Sequence, residues 1–205
     1  MKTKRAGAFT LIELLVVIAI MGIVAGLLVN LAGKASSSKK KARVNTELQQ
    51  LKTVIEAYKE KKGYYPPSNG NTNNVVTNQL YYELTGTIFK PNENEYQTIN
   101  GELITVQTIR DFFLADGFVN SGGDSKNFYP GLKSAQYLDV HPDPDANVQL
   151  LIVPVEGPND ITVNGKKLNP WRYNSLNPTN NPDSYDLWAE IVIGGKTNII
   201  GNWKE

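Results

Sequence analysis

Residues 7–29 read GAFTLIELLVVIAIMGIVAGLLV and decide how the rest of the chain is organised. A short basic leader (Lys2, Lys4, Arg5) runs into an apolar stretch that holds one acid, Glu13, just past the small pair Gly7-Ala8. Nothing from Leu14 to Val29 is charged. As a helix rising ~1.5 Å per residue, Phe9 to Leu31 is long enough to cross a ~30 Å hydrocarbon core. A carboxylate inside such a run costs roughly 2.5–3.5 kcal/mol near the helix centre, so Glu13 is expected to find a partner.

Two ordinary readings fit these residues poorly. A cleaved secretory signal places its small-residue site after a short apolar region. Here Gly7-Ala8 precedes the run, which is also too long and contains Glu13. A plain signal anchor accounts for the hydropathy but gives no reason for the order Phe9-Thr10-Leu11-Ile12-Glu13. The segment resembles the processing site of type IV prepilins and of type II secretion pseudopilins. That resemblance implies cleavage by a prepilin peptidase between Ala8 and Phe9, with Gly7 and Ala8 in the recognition site and methylation of the new Phe9 amine. The family usually has Gly before the cut, where this chain has Ala8. It also implies a filament in which Glu13 pairs with the Phe9 amine of a neighbouring copy. A slipped register would leave a charge unpaired in an apolar bundle, at a cost of several kcal/mol.

The chain has 205 residues, no Cys, 40% hydrophobic residues and a formal charge of +1. One membrane helix and one globular head of ~140 residues is the natural division. Removing Lys2, Lys4 and Arg5 from the 21 basic residues would leave 18 against 20 acidic ones, a net −2. Nothing in that balance indicates nucleic acid. Without Cys there is no disulfide framework and no thiol chemistry. Charge alone leaves orientation open, because Lys34, Lys39, Lys40, Lys41 and Arg43 follow the span and outnumber the leader bases. The family resemblance, which puts the peptidase site in the cytoplasm, implies a single pass through a bacterial inner membrane with a periplasmic head.

Beyond the apolar run, Val44, Leu48, Leu51, Ile55 and Tyr58 are spaced as one stripe on a helix. Asn45, Glu47, Gln49, Lys52, Lys59 and Lys61 are expected on the polar face. Gly63 and Pro66-Pro67 end the helix. A continuous helix from Phe9 to Lys62 would be roughly 80 Å long, with Ser36-Ser37-Ser38 loosening its middle. Asn78–Thr85 and Val106–Asp116 read as short helices, although Asn100-Gly101 could instead join two strands. Val148–Val155 reads as a strand. Asn164-Gly165 reads as a hairpin turn between 161–163 and 166–168, and Gly194-Gly195 as one between Tyr185–Ile193 and Thr197–Ile200. The expected fold class is α+β and pilin-like, a long N-terminal helix packed against a C-terminal antiparallel sheet. Its divisions are a leader (1–8), a transmembrane and polymerisation helix (9–33), an amphipathic continuation (34–62) and a head (63–205).

Near the C-terminus, Asn169-Pro170-Trp171-Arg172-Tyr173, Tyr185-Asp186-Leu187-Trp188-Ala189 and Gly201-Asn202-Trp203 resemble the head of the major pseudopilin. Residues 68–168 match nothing in that pattern. Trp171, Trp188 and Trp203 are expected as core aromatics. Gly22, Gly26 and Gly33 lower helix propensity and read either as points where the helix melts locally on assembly or, the favoured reading, as close-packing sites between apolar helices. The family's calcium loop looks eroded here, with only Glu190 between Asp186 and Trp203. Asp139, Asp143 and Asp145 around His141 are the remaining candidates for a divalent ion, though an exposed Pro-rich turn is the better reading. One His, no Cys and no phosphate loop or GxSxG leave no basis for catalysis. The implied partners are further copies of the chain, the prepilin peptidase, an inner-membrane platform protein and an assembly ATPase. Secretion pseudopilin is the first reading; a type IV pilus subunit for adhesion, motility or DNA uptake, or a ligand-binding minor pilin, is the alternative.

Overall fold

The computed structural model describes residues 10–69, 75–141, 146–158, 161–163 and 166–204, without the side chains at 27–32, 34, 161, 163 and 166. Gly7, Ala8, Phe9, Asp143, Asp145 and the Asn164-Gly165 turn lie outside the described residues. The chain divides into two compact units, Met1–Lys41 and Ala42–Glu205.

Helix α1 spans Leu11–Lys62. It stays helical through the serine run, where Ser37 Oγ donates to the Gly33 carbonyl at 3.0 Å. It stops at Gly63, whose φ of +88° only glycine adopts freely and whose N–H closes on the Lys59 carbonyl at 2.8 Å. Lys59, Lys61 and Lys62 in the last turn face the negative end of the helix dipole.

In the second unit the predicted stripe is the spine of the core: Val44, Leu48, Leu51, Ile55 and Tyr58 are all buried. They share one hydrophobic cluster with Trp171, Tyr173, Leu187, Ala189 and Ile191. Glu47 corrects the polar-face expectation, because it is only 8% exposed. It flanks the stripe one residue before Leu48, and the covered face is wide enough to take it in.

Helix α2 (Leu80–Thr85) is buried on every side. The meander β1 (Thr87–Lys90), β2 (Glu95–Thr98) and β3 (Leu103–Thr105) leads directly into α3 (Val106–Phe113). Both readings of that region therefore hold: Gly101, at φ +88°, turns β2 into β3, and Thr105 then caps α3 by accepting from the Thr108 N–H at 3.0 Å. Helix α3 ends before Asp116 because Leu114 adopts a left-handed φ of +52°.

Strands β4 (Tyr137–Val140) and β5 (Val148–Leu151) pair antiparallel. Strand β5 stops short of Val155, because the chain beyond it turns to other partners. Ile152 N–H donates to the Gln136 carbonyl at 2.9 Å and Val153 N–H to that of Asn169 at 2.7 Å. Strands β6 (Ile161–Val163) and β7 (Lys166–Leu168) form the expected pair.

The terminal sheet runs β8 (Arg172–Asn174), β9 (Asp186–Ile193), β10 (Lys196–Gly201), with β9 central. Gly194 and Gly195, at φ +58° and +75°, make its tight turn. The head is thus built on small antiparallel sheets and not on one broad sheet. Trp171 is a core aromatic, but Trp188 and Trp203 are not. They are half-buried and pack edge to face, ring centroids 5.6 Å apart, over Gly201.

A buried carboxylate ties these parts together. Glu83 of α2 accepts from Tyr58 Oη at 2.8 Å, from the Val119 N–H at 2.7 Å and from the Asn120 N–H at 2.9 Å. Burial pushes its carboxyl above the usual range, and the donors only partly offset that. A carboxyl held above its unfolded pKa stabilises the fold most in acid and less as pH rises through the folded value. Glu83→Gln would turn an amide N–H toward these donors. We expect it to cost about 2–3 kcal/mol at about pH 5 in urea denaturation, with the cost narrowing toward neutrality.

Candidate functional site

The N-terminal end of α1 is built by a reciprocal pair. Thr10 is the residue before Leu11, and its Oγ1 accepts from the Glu13 N–H at 3.3 Å. Glu13 Oε2 reaches back to the Thr10 N–H at 2.8 Å and to Thr10 Oγ1 at 2.7 Å. This is a capping box: each side chain satisfies a backbone donor that the helix leaves free. It also puts a negative charge at the positive end of the helix dipole. Glu13 therefore has a partner within its own chain, one residue after Phe9. The Thr-x-x-Glu spacing was there to be read in the sequence; weighing Glu13 only as a charge needing a cation hides it.

Past this cap the helix carries bare apolar side chains. Leu11, Ile12, Leu14, Leu15, Val16, Val17, Ile18, Ile20, Met21, Ile23 and Val24 are between 41% and 84% exposed. A Cβ at Gly22, Gly26 or Gly33 would meet nothing within 4 Å. Soluble monomers seldom show a continuous apolar surface of this kind without lipid or protein to cover it. Among the described residues, no helix is long and apolar enough to cross a membrane. The expected span runs into 27–32, whose side chains are outside the described residues.

Of the candidate metal ligands only Asp139 and the neighbouring His141 lie among the described residues. Asp139 sits on β4, not in a Pro-rich turn, and its Oδ1 accepts from Gln149 Nε2 at 3.1 Å across the β4–β5 pair. His141 follows the strand and is exposed. No group of His, Cys, Asp or Glu able to hold a metal occurs among the described residues. Asp186 is instead wrapped by N–H donors. Its oxygens accept from the backbone of Thr179 (2.8 Å), Asn180 (2.9 Å) and Asn181 (2.9 Å) and from both Asn side chains. A cradle of donors suits an anion, whereas calcium needs six to eight oxygens.

The prokaryotic N-terminal methylation motif matches residues 3–29, which take in Gly7, Ala8, Phe9 and Glu13. Neither curated proteins nor solved structures provide a match to the chain. The motif indicates a pilin-type chain that is a substrate of a prepilin peptidase.

Thr10→Ala removes one half of the capping box. It should weaken the start of the helix by ~1 kcal/mol, seen as faster amide exchange at Leu11 to Leu14 in lipid bicelles, with Thr10→Ser close to wild type.

Proposed function

We propose that this chain is a filament subunit: cut between Ala8 and Phe9, methylated on Phe9, held in the bacterial inner membrane by its apolar helix and polymerised through that helix. The observation that carries the reading is the exposed apolar face from Leu11 to Val24, directly behind a capped Glu13 inside a methylation motif. The chain's own described residues leave that face bare. Lipid before assembly and neighbouring helices after it would cover it in turn. In the filament Glu13 would also take up the Phe9 amine of the next copy, and a platform protein and assembly ATPase would move copies from bilayer to fibre. A structural subunit, not an enzyme, is the role the motif supports.

Within that class we favour the major pseudopilin of a type II secretion system. The C-terminal motifs that resemble it lie on paired strands, with Arg172 opposite Trp188 and Tyr173 opposite Leu187. The Asp186 cradle favours the alternative, a type IV pilus subunit, because it occupies with N–H groups a carboxylate that calcium would need. The proposal includes no cofactor: calcium added at about 1 mM, a weak-site concentration, is expected to leave the melting temperature of the full chain unchanged.

Glu13→Leu tests the assembly role. The variant should fractionate with membranes as the wild type does, while filament yield falls below detection. Wild-type yields from Glu13→Leu would overturn it.

A further inference from the structure

Strands β10 and β4 end their sheets with backbone groups that no other described residue takes up. In an antiparallel pair, residues directly opposite each other either bond together or both turn away. On β10, Thr197 lies opposite Val192 and Ile199 opposite Glu190. The Val192 N–H donates instead to the Glu156 carbonyl at 2.8 Å, and the Glu190 carbonyl accepts from Asn169 Nδ2 at 2.8 Å. Both point away from β10, so the N–H and C=O groups of Thr197 and Ile199 face outward from the sheet.

Strand β4 repeats the pattern. Tyr137 lies opposite Leu151 and Asp139 opposite Gln149. The Leu151 carbonyl accepts from the Trp171 N–H at 3.0 Å, and the Gln149 N–H donates to Tyr82 Oη at 2.9 Å. The backbone of Tyr137 and Asp139 therefore faces outward as well. Among the described residues, no hydrogen bond or bridge reaches the outward groups of either strand. Thr197, Ile199 and Asp139 are exposed and Tyr137 is half-buried. Neither edge is blunted by a proline or a bulge: the register runs unbroken from Lys196 to Gly201 and from Tyr137 to Val140. An edge left open in this way is a template for a strand of another chain.

We propose that β10 of one copy pairs antiparallel with β4 of the next, Thr197 opposite Asp139 and Ile199 opposite Tyr137. The terminal sheet of one head would then continue into the β4–β5 pair of its neighbour. The inference rests on the filament reading above. The occupant follows from chemistry, because outward N–H and C=O groups are satisfied by an extended backbone of matching spacing. Strand β4 leaves its outward residues at the same i, i+2 spacing as β10. The side chains agree with this register. Ile199, 43% exposed, would lie beside the Tyr137 ring as a β-branched and aromatic pair, and the Thr197 hydroxyl would donate to Asp139. Because β10 and β4 are different patches of one surface, each head gives one edge and receives another. Such a contact propagates as an open fibre, whereas β10 on β10 would close at a dimer.

The chain has no Cys, so single-cysteine variants report the pairing directly. Full-length Thr197→Cys and Asp139→Cys copies are co-assembled into filaments and mildly oxidised. Opposite residues of a bonded pair have Cα atoms about 5.5 Å apart, within disulfide reach. Mixed filaments should yield a covalent dimer joining residue 197 to residue 139, and filaments of either variant alone should yield none. Thr197→Pro supplies a second arm. The N–H it removes points away from β9, so the head should melt close to the wild-type temperature. The critical concentration for assembly should rise about tenfold, the equivalent of one hydrogen bond. The proposal is overturned if mixed filaments give no 197–139 disulfide, if Thr197→Cys joins to itself, or if Thr197→Pro assembles at the wild-type concentration. Wild-type filaments without the cross-link sink this inference alone; a wild-type chain that forms no filament sinks the filament reading, and this one with it.

Discussion

The head depends on burying one face of α1. Val44, Leu48, Leu51, Ile55 and Tyr58 are out of water, and burying such a side chain contributes roughly 1.5–3 kcal/mol. No single sheet of the head is broad enough to hold a core by itself. The three-stranded meander, the β4–β5 pair and the terminal sheet each bring a few apolar residues, and the helix face is where they meet. Glu83 then fixes where α2 and the 119–120 segment stand against α1, because Tyr58 and two backbone N–H groups converge on its oxygens. A substitution that tilted this face would disturb every sheet at once.

The first unit poses the opposite physical problem. Its helix satisfies its own backbone, including the N-terminal donors that Thr10 and Glu13 cap, and that is what an apolar environment demands of a chain. Its side chains, by contrast, are satisfied only by surroundings that are apolar too. Glu13 links the two requirements. Within one chain its carboxylate serves the Thr10 N–H, close to the point where a new amine would be created by processing. The neutral Thr10 donors satisfy its hydrogen bonds but not its charge, and in the proposed filament a neighbour's amine would supply the missing opposite charge.

The parts of this structure that are local in origin were legible in the sequence. The 3.6-residue stripe, the Gly63 stop followed by Pro66-Pro67 and the Gly194-Gly195 turn each arise from a few neighbouring residues, and each appears where it was expected. What the sequence hid depends on distant partners. Strand β4 exists because β5 pairs with it, so Asp139 seemed to belong to a turn. Glu47 and Glu83 look like surface acids until segments far along the chain close over them. Trp188 and Trp203 look like core residues, but they are on the outer side of a sheet whose inner face is filled by Leu187 and Ala189. The candidate site divides in the same way. Its cap was readable from Thr10-x-x-Glu13, whereas the donor cradle around Asp186 required the 179–181 loop to fold back onto β9.

What happens to the N-terminus in the cell decides whether this chain is a filament subunit. Intact-mass and N-terminal peptide mass spectrometry of the native protein measures it most directly. We predict a chain that begins at Phe9 and carries a methyl group on its amine. A mature protein that still begins at Met1, or that is cut after the apolar run, would contradict the account.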